Sequence, residues 1–167
     1  QQPSSFSILN VGADFGFPEV GFLENSGSGE NYGVELTVEK FFSQNFYLLA
    51  TGSLFESKYT GSDGIERNSA FNNNYVYNLL AGKEFNMGRK GNALTLDFKW
   101  TNAGGRYYTP IDLDASTAQG REVLREDIAF SERFDPYLRL DIKVGFRLNN
   151  SDKKIAQQFF LDFQNVT

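Results

Sequence analysis

Charged side chains occupy alternate positions of one segment, residues 137–148, and they are the first candidates for chemistry in this chain. Arg139, Asp141, Lys143 and Arg147 are spaced two or four residues apart. Because successive side chains of a β-strand point to opposite faces, this spacing places all four on one face. The opposite face is wholly apolar and consists of Leu138, Leu140, Ile142, Val144, Phe146 and Leu148. The segment therefore predicts a long strand with one charged face and one apolar face.

The chain lacks the residues on which most enzymes depend. It has no histidine and no cysteine, which excludes thiol chemistry, disulfides, Cys/His metal sites and histidine acid–base catalysis within this chain. Carboxylates are plentiful, but no pair stands out with a positioned base or nucleophile. We therefore predict that the chain is not an enzyme, and we expect no cofactor and no bound metal.

One acidic stretch offers oxygen ligands of the kind that calcium takes. It lies in the longest predicted loop and contains Asp112, Asp114, Glu122, Glu126 and Asp127. Their spacing does not match an EF-hand, so we interpret the stretch as a solvated acidic loop.

The overall charge limits the range of partners. The net charge is -5 and the isoelectric point is near 4.8, whereas phosphate binding needs a concentrated basic surface. We therefore expect no nucleic-acid partner. The mean hydropathy of -0.41 would usually indicate a soluble protein. It is equally typical of a membrane β-barrel, in which half of each strand faces water.

Alternating and β-rich segments predict seven strands. They fall at about residues 6–17, 32–41, 46–59, 75–85, 93–101, 137–148 and 155–166. Several exceed the roughly 5 to 6 residues of an ordinary strand and reach the roughly 9 to 11 that cross a bilayer.

The connections between these strands alternate strictly in length. Residues 42–45, 86–92 and 149–154 are short and turn-like, whereas 18–31, 60–74 and 102–136 are long and rich in Gly, Ser, Asn and charge. Outer-membrane barrels have short turns on the periplasmic side and long loops outside. The predicted fold is all-β, an antiparallel up-and-down membrane β-barrel, with about seven strands belonging to a larger barrel.

Aromatic residues are concentrated near the predicted strand ends, as in the two interfacial girdles of a membrane barrel. Those beside a short turn are Phe41, Phe42, Phe46 and Tyr47, and those towards the long loops are Tyr75, Tyr77, Trp100, Tyr107, Tyr108 and Tyr137. The general preference of aromatic residues for strands explains the same pattern equally well.

Two features predict that the sequence is a piece of a longer protein. Bacterial single-chain barrels close with an even number of strands, and seven are predicted here. The last predicted strand also stops abruptly at Asn165-Val166-Thr167, with no terminal aromatic residue and no closing hairpin. Separately, Gln1 to Ser5 have neither the charged nor the apolar region of a signal peptide, so if the protein is exported we expect the signal to lie upstream.

Three stretches closely resemble the C-terminal barrel of TonB-dependent outer-membrane receptors, best those of the Bacteroidetes type with a carboxypeptidase-regulatory-like domain. They are Ala-Gly-Gly-Arg-Tyr-Tyr-Thr-Pro-Ile-Asp-Leu at 103–113, Tyr-Leu-Arg-Leu-Asp-Ile-Lys-Val-Gly at 137–145 and Leu-Asp-Phe-Gln-Asn-Val-Thr at 161–167. The resemblance covers essentially the whole chain. It identifies residues 1–167 as one segment, the C-terminal part of such a barrel, without the plug domain and without the final strand.

The resemblance implies a function and a location. Such receptors sit in the bacterial outer membrane, where a barrel of about 22 strands surrounds a plug. They import a scarce nutrient, such as a siderophore, cobalamin or an oligosaccharide, with TonB-coupled energy. The implied partners are outer-membrane lipid, the receptor's own N-terminal plug domain, the TonB system and a small-molecule or glycan cargo.

Two sets of residues are the candidate sites. We predict that Arg106, Tyr107 and Tyr108, at the foot of the longest loop, contact the ligand, and that Arg139, Asp141, Lys143 and Arg147 face the lumen. A second reading remains open, a small or soluble β-barrel that binds a ligand or partner without transport. In that protein the apolar face of 137–148 would be packed inside.

Overall fold

The main element of the fold is an antiparallel β-sheet, and the connections between its strands contain further short elements of secondary structure. The computed structural model describes residues 7–12, 25–88, 91–150 and 155–167. These ranges contain nine strands: β1 (Ser28–Ser43), β2 (Phe46–Thr60), β3 (Glu66–Asn68), β4 (Tyr75–Met87), β5 (Asn92–Ala103), β6 (Tyr107–Tyr108), β7 (Glu132–Arg133), β8 (Tyr137–Asn150) and β9 (Ile155–Phe163). The helical elements are α1 (Leu113–Gln119) and 3₁₀ turns at Ile8–Val11 and Glu126–Ile128. No helix in this part of the chain is long and apolar enough to cross a membrane.

The long strands lie side by side in the order in which the chain makes them. The order is β1-β2-β4-β5-β8-β9, with β3 paired to the end of β2, and β6 and β7 form a separate two-stranded sheet. Gln44 and Asn45 connect β1 to β2, and both have a positive φ, as the tightest hairpin turns require. Among the described residues, no pairing joins β1 to β9 to close the sheet.

Six of the seven predicted strands are confirmed. The first predicted strand, at residues 6–17, is wrong for the part that the structure describes, residues 7–12. Residues 7–12 form a 3₁₀ turn rather than a strand, because Ser7 Oγ accepts a hydrogen bond from Leu9 N and Gly12 leaves the turn with a φ of 70°. Residues 6 and 13–17 of that prediction lie outside the described part of the chain. The last strand ends at Phe163 rather than at Val166.

The links predicted as loops contain regular structure. The link at 60–74 contributes β3, and the link at 102–136 contributes α1 and the two-stranded β6–β7 sheet. Such short elements carry little sequence signal, since two or three residues cannot display a period. Residues 18–24, 89–90 and 151–154 of the other predicted connections lie outside the described part.

The chain divides into two compact units. The loop unit comprises the described residues of Gln1–Val34, Leu54–Asn74 and Gly104–Pro136, and the strand unit comprises those of Glu35–Ser53, Tyr75–Ala103 and Tyr137–Thr167.

The two units differ in how they bury apolar side chains. The loop unit has a small core of Tyr59, Ala70, Ala129 and Phe130, with Tyr107 packed against it. In the strand unit, Ala93 is the only buried apolar side chain among the described residues. Large apolar residues of that unit are exposed instead, for example Leu36 at 67 % and Leu161 at 65 %. The strand unit is therefore a single sheet layer without an apolar core of its own.

Candidate functional site

The polar face of the strand unit brings the predicted charged residues together. Arg139, Asp141 and Lys143 are paired in register with Thr101, Lys99 and Asp97 of β5, in that order. Directly paired residues of an antiparallel sheet share a face. Leu138, Leu140 and Ile142 alternate with them and pair with Asn102, Trp100 and Phe98 on the opposite face. The predicted alternation of β8 is confirmed.

Arg139 and Asp141 form an ion pair along β8. Arg139 Nε donates to both carboxylate oxygens of Asp141, at 2.8 and 3.0 Å. The backbone N–H of Asn165 donates to the same carboxylate at 2.8 Å. Asp141 thus accepts three hydrogen bonds from two donor groups, and the one from Asn165 ties the segment after β9 to β8.

Arg147 pairs with a residue that lies two strands away. Its Nη2 donates to Glu84 Oε1 at 2.5 Å, from β8 to β4. Ala93 of β5 is the register partner of Arg147 and is completely buried. A small side chain at this position leaves room for the ion pair to cross β5.

Tyr47 and Asp97 make a similar connection in the same sheet. Tyr47 Oη donates to Asp97 Oδ1 at 2.7 Å, and Gly82 of β4 is the register partner of Asp97. A Cβ atom on Gly82 would overlap both the Tyr47 ring and the Asp97 carboxylate. The missing side chain of Gly82 is therefore what allows the hydrogen bond.

Two lysines on this face differ from the two arginines. Lys143 Nζ lies 4.4 Å from the centre of the Phe160 ring, a cation–π contact. Lys99 is exposed and paired in register with Asp141. Neither ammonium forms an ion pair or a hydrogen bond with any residue that the structure describes.

These side chains line two cavities of the strand unit. The larger has a volume of about 550 Å³, and its walls include Tyr47, Lys99, Arg139 and Lys143. The smaller, of about 210 Å³, shares Tyr47, Asp97 and Lys143 with it. The polar face thus offers space beside charged groups.

In the loop unit, Arg106, Tyr107 and Tyr108 lie along one strand of the two-stranded β6–β7 sheet. Tyr107 and Tyr108 pair with Arg133 and Glu132 of β7, and Phe134 N donates to Arg106 O at 3.0 Å. Because neighbours on a strand point to opposite faces, the three side chains do not form one surface.

The two faces of the β6–β7 sheet have different surroundings. On one, Tyr107 packs against the core of the loop unit and carries the Arg133 guanidinium 5.2 Å from its ring centre. On the other, the Tyr108 and Phe134 rings lie 4.3 Å apart and Arg106 sits 5.8 Å from the exposed Phe71 ring. Of the predicted set, Arg106 is exposed, whereas Tyr107 and Tyr108 are both half-buried.

Hydrogen bonds organise the loop unit around its small core. The Tyr59 ring meets Phe130 edge to face at 6.3 Å, and Tyr59 Oη donates to Asn10 Oδ1 at 2.6 Å. Arg67 binds Asp63 with two nitrogens, at 3.0 and 2.6 Å, and donates to the Asp127 carbonyl at 3.1 Å. The Arg67 guanidinium, helped by the Ile65 N–H, holds the pKa of the Asp63 carboxyl below its usual range.

Asn72 is the most deeply buried polar residue of this network, with 1 % exposure. Its Oδ1 accepts from Ser57 N at 3.0 Å and from Asn74 Nδ2 at 3.2 Å, and its Nδ2 donates to Asn68 Oδ1 at 2.9 Å. One amide thereby holds together the ends of the link between β2 and β4.

The acidic stretch is dispersed rather than convergent. Asp112 Oδ1 caps α1 by accepting from Ala115 N at 2.9 Å, and Glu126 accepts a hydrogen bond of 3.5 Å from Asn10. The described residues contain no group of three or more acidic side chains that could hold a metal ion.

Several contributors to these sites were not predicted from the sequence. They are Tyr47, Glu84, Asp97, Arg133 and Asn72, all of which act through partners far away in the chain. The only sequence signals were the isolated Gly82 within a strand, which indicates close approach of another group, and the Asn run at 72–74. Comparisons of the chain with protein-family models, with curated proteins and with solved structures give no match.

Proposed function

We propose that the chain forms part of the wall of a TonB-dependent receptor in a bacterial outer membrane. The intact receptor would bind a scarce nutrient outside the cell, a siderophore, cobalamin or an oligosaccharide, and import it with TonB-coupled energy. The plug domain and the TonB system would act through other parts of that protein. The chain itself would have no enzymatic role.

The observation that carries this proposal is the exposed apolar face of the strand unit. Leu36 of β1, Leu96 of β5 and Leu161 of β9 are all exposed although each alternates with polar residues on the other face. Soluble proteins rarely leave a contiguous apolar surface uncovered. Lipid would cover it at no cost in unsatisfied polar groups, because the backbone groups of the inner strands are paired within the sheet.

The lengths of the strands support the same conclusion. β1, β2, β4 and β8 have 16, 15, 13 and 14 residues, and about 9 to 11 suffice to cross the hydrocarbon layer of a bilayer. The short connections that follow β1 and β4 alternate with the long links after β2 and β5. Up-and-down membrane barrels have this arrangement.

Cysteine labelling of β8 in the intact receptor tests the proposal. Since the chain has no native cysteine, single cysteines at Leu140, Asp141, Ile142 and Lys143 can be labelled in membranes with water-soluble and lipid-soluble reagents. We expect positions 140 and 142 to react only from lipid and positions 141 and 143 only from water.

The same experiment decides between this proposal and a soluble barrel. If positions 140 and 142 resist both reagents, these side chains are packed in a protein core and the transport proposal fails. Urea-denatured samples, in which all four cysteines should react with the water-soluble reagent, control for intrinsic reactivity.

A further inference from the structure

One face of the β6–β7 sheet presents aromatic rings to solvent. The Tyr108 and Phe134 rings lie 4.3 Å apart on this face, and Phe134 is 59 % exposed. Phe71, from the link between β2 and β4, is 55 % exposed, and its ring centre lies 5.8 Å from the Arg106 guanidinium. Aromatic side chains contribute strongly to binding wherever a ligand covers them.

The four side chains of this face lie at the corners of a two-by-two grid. Tyr108 is paired with Glu132, and the hydrogen bond of 3.0 Å from Phe134 N to Arg106 O continues the register by one pair. The two rings therefore occupy one diagonal of the grid. Arg106 and Glu132 occupy the other, with a separation of about 7 to 8 Å between their backbones. The pair of rings thus lies between a guanidinium and a carboxylate.

Neither of these charged groups has a protein partner in the part of the chain that the structure describes. Arg106 and Glu132 are both exposed, and neither side chain forms an ion pair or a hydrogen bond with a described residue. Arg133 lies on the opposite face, with its guanidinium over Tyr107. The ring pair is therefore bordered by hydrogen-bond donors on one side and by acceptors on the other, without net charge.

This combination matches the chemistry of a neutral sugar. A hydroxyl group both donates and accepts hydrogen bonds, so the hydroxyls of one sugar ring can accept from Arg106 and donate to Glu132. The C–H groups of a sugar ring are attracted to the negative face of an aromatic ring. An anionic ligand would be repelled by Glu132, and a cationic ligand by Arg106.

The backbone around the rings is fixed by hydrogen bonds that need no ligand. Arg133 Nη2 donates to Asn73 O at 2.7 Å, and Arg133 Nε donates to Gly105 O at 3.1 Å. Asn73 is two residues from Phe71, and Gly105 directly precedes Arg106. One side chain thus joins the two segments that supply the face. A site that is organised in advance loses less conformational entropy when it binds.

We infer that Tyr108 and Phe134 form the stacking surface of a saccharide-binding site, and that Arg106 and Glu132 bind the hydroxyl groups of the stacked sugar. The inference rests on the proposed function, because it selects a neutral oligosaccharide from the three cargo classes of the receptor. Phe71 orients the Arg106 guanidinium through their cation–π contact. Hydrogen bonds with an ionised partner are about twice as strong as neutral ones.

The first test is an array of neutral oligosaccharides of glucose, galactose, mannose, xylose and arabinose. The intact protein is applied in lauryldimethylamine oxide, a detergent without a sugar head group. We expect saturable binding to at least one of these oligosaccharides. Calorimetric titration with the bound oligosaccharide then compares variants. Phe134→Ala and Glu132→Ala should each weaken binding about tenfold, whereas Phe134→Tyr, which keeps an aromatic ring, should retain it.

Leu113→Ala and Glu122→Ala are the matched controls. They remove an apolar and an acidic side chain that are exposed on the same link but lie outside β6 and β7. Neither substitution should change the affinity. Circular dichroism of each variant confirms that the sheet is intact.

Three outcomes overturn the inference. They are no binding to any neutral oligosaccharide of the array, unchanged affinity in Phe134→Ala or in Glu132→Ala, and equal losses in the two controls. If the cysteines of β8 nevertheless show the expected alternation, the transport proposal stands and the cargo belongs to another class. If positions 140 and 142 resist both reagents, the transport proposal fails, and the array and the titrations still decide whether this face binds a saccharide.

Discussion

Tyr47 Oη donates a hydrogen bond to Asp97 Oδ1 although the two residues are on β2 and β5, with β4 between them. The tyrosine ring passes over Gly82 to reach its partner. One side chain thereby joins three neighbouring strands of the sheet. This relationship gives the first prediction.

Gly82→Ala should destabilise the sheet by about 1 to 3 kcal/mol, the usual cost of forcing a methyl group into occupied space. The new Cβ would displace the Tyr47 ring and break its hydrogen bond. Urea unfolding of the intact protein in phospholipid vesicles measures the effect. In a Tyr47→Ala background the same substitution should cost clearly less, and equal costs in the two backgrounds would show that the Tyr47 ring is not what Gly82 accommodates.

The Asp63–Arg67 pair predicts that the loop unit loosens in acid. The pKa of Asp63 is lower in the folded protein than in the unfolded chain, where it is about 3.9. The stabilisation is therefore complete above the unfolded pKa and is lost as the pH falls through the folded pKa. Hydrogen exchange of residues 61–68, corrected for intrinsic rates, should show protection that declines below about pH 4.

Asp63→Asn is the control for that experiment. It should lower protection at neutral pH and remove the dependence on pH in this window, because no carboxylate remains to titrate. A variant that keeps the acid dependence of the original protein would assign the effect to another group.

Asn72→Ala should destabilise the link between β2 and β4 by about 1 to 3 kcal/mol, since it leaves buried polar groups unsatisfied. The Ser57 N–H and the Asn68 side chain lose their partner inside the loop unit. Hydrogen exchange at Ser57 reports the loss. As a control, Asn86→Ala makes the same chemical change at an exposed position and should leave the hydrogen exchange of Ser57 unaltered. If exchange at Ser57 became faster to a similar degree in both variants, the hydrogen bonds of Asn72 would not be what protects Ser57.

Arg106→Ala and Tyr108→Ala should each weaken ligand binding and uptake by the intact receptor about tenfold, in keeping with the loss of a charged or aromatic contact. Tyr107→Phe should have little effect, because Tyr107 packs against the core of the loop unit. Arg121→Ala removes an exposed arginine of the same link, whose side chain donates a hydrogen bond to Gln119, and serves as the control. Unchanged affinity and uptake in both alanine variants would show that this face of the β6–β7 sheet does not contact the ligand.

The strands were predictable because their signal is local and repeated. In β8 six apolar and four charged side chains alternate, and one residue of slippage would exchange its two faces. The ion pair of Arg139 with Asp141 was within reach of the sequence too, since it joins residues two apart on one strand.

The contacts between residues far apart in the sequence could not be predicted, because they depend on which strands become neighbours. Glu84 meets Arg147 only because β5 separates β4 from β8 by a single strand. Likewise Asn10 meets Tyr59, 49 residues away, through a hydrogen bond that no periodic pattern records. At Ser7 a side-chain hydrogen bond to the backbone overrode the alternation that had predicted a strand.

The sequence of β1 affects how readily the chain aggregates before it folds. It is sixteen residues long, lies at an edge of the described sheet and exposes Tyr32, Val34, Leu36 and Val38 along one side. A long apolar edge is a template for pairing with other unfolded copies, and therefore an aggregation hazard. Glu35, Glu39 and Lys40 interrupt this segment with charge and act as gatekeepers. Replacing them with threonine would preserve the strand propensity of β1 while removing the repulsion that keeps newly made chains apart.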